Sequence, residues 1–205
     1  MKGRCEEHKI INDSVLQQRL WDKLYEPELG PNIASETAFP QQNFENHSML
    51  VQVLLDSDFQ KFVLFSEEEQ VIGLGICCNN LEKVRDIARI RFNPEFYAKN
   101  YPDLYKEKRI YYFPTLVLLK EYQKEGYLYP LGHAMVSFVQ KNQGVSAFDH
   151  SIAKNPFLGQ IILHMCYTGV MSDAVQIVAD QQVFVLIGPD KYLGVEQANP
   201  NEAKI

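Results

Sequence analysis

The sequence predicts a mixed α/β domain, and three observations carry that expectation. Short runs rich in Val, Ile, Leu and Phe punctuate the chain. Between them lie segments whose apolar residues recur at helical spacing. Two of the runs, Lys61–Phe65 and Val71–Cys78, flank the polar stretch Ser66–Gln70, which reads as a β-hairpin. With 205 residues, the chain is expected to form a single domain spanning 1–205. Its 46% hydrophobic and 22% charged residues are ordinary globular usage. They exclude a chain too polar to offset its own ordering entropy.

In chain order, His8–Asn12 reads as a short strand. Asp13 or Ser14 then caps a helix carrying Val15, Leu16, Leu20, Trp21 and Leu24 at helical spacing, and Pro27, Gly30 and Pro31 end it. A polar loop, 33–46, follows. Ser48 is expected to cap a second helix through Leu55, and the hairpin comes next. Residues 80–109 break the rhythm. They are rich in Lys and Arg, carry Tyr97, Tyr101 and Tyr105 every fourth residue, and are punctuated by Pro94 and Pro102. One or two surface helices are expected there, as a solvated insertion or as a lid beside a substrate. Ile110–Leu119 reads as a buried strand, and Pro114 within it demands a bulge or an edge, because proline cannot donate to a ladder. A helix with Leu131, Met135, Phe138 and Val139 on one face follows, ending near Asn142-Gln143-Gly144. Val145–Phe148 is a strand, Phe157–Met165 a helix, and Val175–Val178 with Val183–Ile187 a closing hairpin. The polar tail 197–205 is expected to fray.

The net charge is −6. A sequence-independent grip on nucleic acid needs a phosphate-neutralising surface, so nucleic acid is not the expected partner. Any anionic ligand must be held by local positive features. No apolar run approaches the ~18 residues of a membrane span, and the N-terminal residues lack the apolar core of a secretory signal. Cys5, Cys77, Cys78 and Cys166 include no CxxC and match no zinc spacing. No metal site and a cytoplasmic location are therefore expected.

The stretch that carries chemistry is Val117–Leu131. A buried strand runs into a polar turn with one glycine, Gly126, and a helix starts at once with Pro130 in its first turn. Such a junction offers main-chain N–H groups at the positive end of a helix dipole, which suits phosphate. Lys120 and Lys124 add positive charge. An ordinary strand-to-helix turn would look the same, and the position of the turn weighs against that reading.

Here the sequence resembles the GNAT superfamily of N-acyltransferases. The superfamily motif, Arg/Gln-x-x-Gly-x-Gly/Ala, follows its fourth strand. Gln123-Lys124-Glu125-Gly126-Tyr127-Leu128 matches the Gln and the first Gly and departs at Leu128. The lead-in Glu121-Tyr122 and the element order over roughly 8–188 fit as well. The resemblance implies a GNAT-like fold, a mixed, mostly antiparallel sheet flanked by helices, with a helical insertion between the third and fourth strands. It implies acetyl-CoA or another acyl-CoA as cosubstrate and a small-molecule or protein amine as acceptor, and it is compatible with a homodimer. The main chain of Val117, Leu118 and Leu119 would pair with the pantetheine arm, and Leu118 or Leu119 would donate to the oxyanion. The amides of Gln123, Lys124, Glu125, Gly126, Tyr127 and Leu128 would hold the pyrophosphate, and Asn155 would touch the pantetheine. Leu128 could tighten or block that pocket. Tyr167 is the candidate donor of a proton to the departing thiolate.

A general base is harder to find, because Ile110–Leu119 contains no carboxylate. Tyr112 lies on that strand, but a tyrosine is a poor base unless perturbed. His150, just past the expected fifth strand, has a suitable pKa, and the plainer reading is a partly buried loop histidine. Two alternatives stay open: a GNAT-like fold that has lost catalysis and serves as a binding or regulatory module, and an unrelated α/β domain. The unrelated domain would show no parting of two parallel strands at 115–119 and 145–148.

Overall fold

The computed structural model describes residues 3–25, 44, 46–88, 93–122, 125–151, 174–179 and 182–187, with main chain alone for 87–88, 149–151 and the last two segments. The predicted helix 157–165, the loop 33–46 apart from Phe44 and Asn46, and the tail 197–205 lie outside these residues. Among the described residues, seven strands form one sheet: β1 (Arg4–His8), β2 (Phe59–Phe65), β3 (Val71–Cys78), β4 (Ile110–Leu118), β5 (Val145–Ser151), β6 (Ala174–Ala179) and β7 (Gln182–Ile187). Their order is β1-β2-β3-β4-β5-β7-β6. Every pairing is antiparallel except β4 with β5, which is parallel.

The first strand lies earlier than its expected 8–12. Arg4 pairs with Phe65 and His8 with Lys61, so β1 is an edge strand. Charged residues suit an edge because they discourage further pairing, and they also hide the strand from a search for apolar alternation. Asp13 caps α1 (Ser14–Leu24): its carboxylate accepts from the N–H groups of Val15 at 2.8 Å and Leu16 at 3.3 Å. Leu20 and Leu24 are fully buried, worth roughly 1.5–3 kcal/mol each. The second helix, α2 (His47–Leu55), is capped by Asn46, whose side chain accepts from Met49 N–H at 2.9 Å, and not by Ser48.

Between β3 and β4 the described residues form three short helices: α3 (Leu81–Ala88), α4 (Pro94–Asn100) and α5 (Pro102–Lys106). They are not a merely solvated excursion. Tyr97 is fully buried, and its ring meets that of Tyr112 edge-on at 6.5 Å. Tyr101 and Tyr105 pack against the core more loosely. The four-residue tyrosine spacing therefore marks the sheet-facing side of this segment.

The helix α6 (Leu128–Lys141) covers the other face, against β1, β2, β3 and β5. The rings of Phe62 and Tyr111 meet Phe138 edge-on at 5.7 Å each. A side-chain carbon at Gly75 would lie 2.3 Å from Met135 Sδ, so α6 sits this close only because β3 has glycine there. On the α1 face, Lys61 is fully buried. Its ammonium donates to the carbonyls of Lys9 at 2.8 Å and Asp56 at 2.5 Å, joining the segment after β1 to the turn after α2. Burial pulls its pKa down to about 8.

Candidate functional site

Pro114 decides the shape of the middle of the sheet. Ile76 pairs with Thr115 but Cys78 with Tyr112, so two residues of β4, Phe113 and Pro114, stand opposite Cys77. This is a β-bulge, the first of the two placements expected for that proline. The edge placement does not occur, since β4 is central. On its other side β4 shares three rungs with β5: Ile110–Val145, Tyr111–Ser146 and Tyr112–Ala147. The ladder stops at the bulge. Both strands run on, and among the described residues β4 is then paired with β3, and β5 with β7 as far as Ser151–Gln182. Two parallel central strands thus lose each other beyond Tyr112 and Ala147.

The alternation of an antiparallel ladder says which main-chain groups face that opening. Leu119 N–H donates to Ile72 C=O at 2.9 Å. Counting back by twos, Val117 and Thr115 also turn their main chain toward β3. Leu116 and Leu118 turn theirs toward the side β5 has left. Of the expected trio Val117, Leu118 and Leu119, only Leu118 faces the opening, with Leu116 beside it. A sequence reading that takes three consecutive residues overlooks this alternation.

The strand then enters a 3₁₀ turn, Lys120–Tyr122, and reaches α6 through Glu125, Gly126 and Tyr127. Gln123 and Lys124 lie outside the described residues. Gly126 has φ +84°, a conformation that only glycine adopts without strain, and among the described residues nothing lies within 4 Å of where a side chain would begin. Tyr127 is buried with its ring edge-on to Tyr122 at 5.2 Å, and its side chain does not cap α6. Leu128 packs on the core. Glu125 N–H turns inward to Tyr122 C=O at 3.3 Å, and Tyr129 N–H to Gly126 C=O at 3.2 Å.

No protein-family model matches the sequence, and no curated protein matches it. Solved structures do match the fold. A GNAT-family acetyltransferase from Listeria monocytogenes superposes with a TM-score of 0.54 over 89% of this chain and 93% of its own, at 12% identity. A Corynebacterium glutamicum protein, described as a histone acetyltransferase and related acetyltransferase, gives 0.52 over 92% and 97%, at 11% identity. A mutant spermidine N-acetyltransferase from Vibrio cholerae gives 0.52 over 94% and 96%, at 13% identity. The chain has the GNAT acetyltransferase fold.

Within this GNAT fold the remaining candidates fall unevenly. Tyr112 occupies the last β4–β5 rung, but its side chain is buried against Tyr97. His150 belongs to β5 itself, opposite Val183, and does not follow it. Asp149, opposite Phe184 and beyond the last rung with β4, is a carboxylate that the sequence reading passed over. Its signal was its position directly before His150. Tyr167 and Asn155 lie outside the described residues.

The described cysteines are free thiols, and burial raises the pKa of each: Cys5 to about 11, Cys78 to about 12, and Cys77 well above its usual value. Thiols held this way are poor nucleophiles at neutral pH. Among the described residues, no three His, Cys, Asp or Glu side chains come together as a metal site, and no helix is long and apolar enough to cross a membrane.

Proposed function

We propose that the protein is an N-acyltransferase that moves an acyl group, most simply acetyl, from acyl-CoA to an amine by direct attack. The observation that carries this is the ladder between β4 and β5, which ends at Tyr112–Ala147 while both strands continue. An extended thioester arm fits such a gap as an added strand, with the main chain of Leu116 for a partner. The gap leads toward the turn before α6, where the open space at Gly126 and the dipole of a 14-residue helix suit the phosphates of CoA. Lys120, Gln123 and Lys124 flank that turn, and Leu128, packed inward, leaves it clear.

In the reaction, the amine nitrogen attacks the thioester carbonyl and the C–S bond breaks. The departing thiolate then takes up a proton. Tyr167 is our candidate for that donor and Asn155 for a contact to the arm. His150, or Asp149 beside it, is our candidate for accepting the proton the amine gives up. The amine preference draws on the named activity of the Vibrio neighbour, and the acidic balance of −6 agrees with cationic acceptors. The thiols favour a cytoplasmic setting.

A thermal melt with acetyl-CoA tests the reading. Ligand at about 100 times its Kd adds roughly 2.7 kcal/mol, several degrees for a domain of this size. Gly126→Asp, which places a strained residue and a negative charge at the turn, should remove the shift. No shift at millimolar acetyl-CoA contradicts the proposal. The absence of a carboxylate from β4 supports a second reading, a binding module without turnover. A shift without acylated product from any amine would favour it.

A further inference from the structure

On the α1 face of β4, Thr115 lies three residues past the last rung with β5, directly beside the opening. It is 2% exposed, and its hydroxyl makes no hydrogen bond among the described residues. The hydroxyl of Tyr25, at the end of α1, is turned toward Thr115 and is likewise buried without a hydrogen bond of proper geometry; Tyr25 is 8% exposed. A buried hydroxyl left unsatisfied costs about 1–3 kcal/mol, so two together call for an explanation.

Their surroundings supply one. Tyr25 stacks on Trp21 at 6.0 Å between centroids and meets Phe44 edge-on at 5.3 Å. Trp21 in turn touches the ring of His47 at 5.6 Å, and His47 Nε2 is a third buried polar atom without a partner among the described residues. Trp21 and His47 are only half-buried. The cluster therefore runs from solvent at Trp21 and His47 inward to the two hydroxyls beside the gap.

We infer that this cluster is the acceptor site, and that Tyr25 and Thr115 receive a slender primary amine whose stem lies against Trp21. This rests on the acyltransfer reading above. Hydroxyls and aromatic rings can hold a neutral amine by hydrogen bonds, and they solvate an ammonium poorly. Burial therefore shifts a bound amine toward its free base, the form that attacks a thioester. Such a site lessens the need for a carboxylate base on β4. Burial also raises the pKa of Tyr25, so its hydroxyl stays protonated and available as a donor.

Trp21 is the single tryptophan of the chain, so its emission reports on this site alone. Titration with n-butylamine, with and without coenzyme A, should give a saturable change, and butan-1-ol a much weaker one. Tyr25→Phe with Thr115→Val should weaken amine binding about tenfold or more, the scale of two lost hydrogen bonds. The same variant should melt at or above the wild-type temperature and keep the acetyl-CoA shift, because removing two unpaired hydroxyls relieves their cost and leaves the packing intact. Two outcomes overturn the proposal: no saturable response in the wild type, or an unchanged response in the variant. Loss of the acetyl-CoA shift in the wild type would instead sink the acyltransfer reading, while the tryptophan titration still judges the amine site.

Discussion

Replacing Lys61 by methionine should change how stability depends on pH more than stability itself. In the folded chain its pKa falls from 10.5 to about 8, burial being the cause. A lysine with a lowered folded pKa is held back while charged in both states. That penalty is full below pH 8 and fades as pH rises toward the unfolded value. At about 1.4 kcal/mol per unit the fall sets a ceiling near 3 kcal/mol, and water reaching the ammonium through its carbonyl partners reduces this to roughly 1–2 kcal/mol. Wild-type stability, measured by urea unfolding, should therefore gain about 1–2 kcal/mol between pH 7 and pH 10 relative to Lys61→Met. At pH 7 the two should be close. Methionine removes a costly buried charge but strands the carbonyls of Lys9 and Asp56, and these effects oppose each other at about 1–3 kcal/mol. A wild type that loses stability relative to the variant above pH 8 would refute the assignment of Lys61 as a desolvated cation.

Two further outcomes concern what holds the site's scaffold. Gly75→Ala drives a methyl into Met135 and should cost about 1–3 kcal/mol in unfolding free energy; Met135→Ala in the same chain should recover part of that, since it vacates the contested space. Asn46→Ala should lower stability by about 1 kcal/mol, whereas Ser48→Ala should be nearly silent in the same melt, because Asn46 makes the capping bond.

The elements built from apolar runs could be read directly. β2, β3, β4 and the start of β5 have side chains that must leave water, the closing hairpin is a pair of apolar runs in the sequence, and α6 has a continuous apolar face. Pro114 was the most informative single residue, since the missing donor required a local break in the ladder. What the chain could not disclose locally was the consequence of that break, because the end of the β4–β5 ladder depends on a strand more than thirty positions away. β1 is expected too late in the chain because its pairing is made by main chain under charged side chains. The tyrosine spacing of 97, 101 and 105 suggested helix, but not that Tyr97 and Tyr105 would come from two successive helices with Tyr101 between them, all packed toward the core. At the site, the turn at Gly126 was legible from composition and position. The hydroxyls of Tyr25 and Thr115 were not, because only the fold sets a residue of α1 against one of β4.

The central claim is that the opening between β4 and β5 takes the thioester arm of an acyl-CoA. A crystal grown with acetyl-CoA measures this directly. The account predicts the arm alongside Leu116, with the phosphates at the turn around Gly126. Cofactor density elsewhere on the surface, or a gap filled by the chain's own residues under saturating acetyl-CoA, would contradict it.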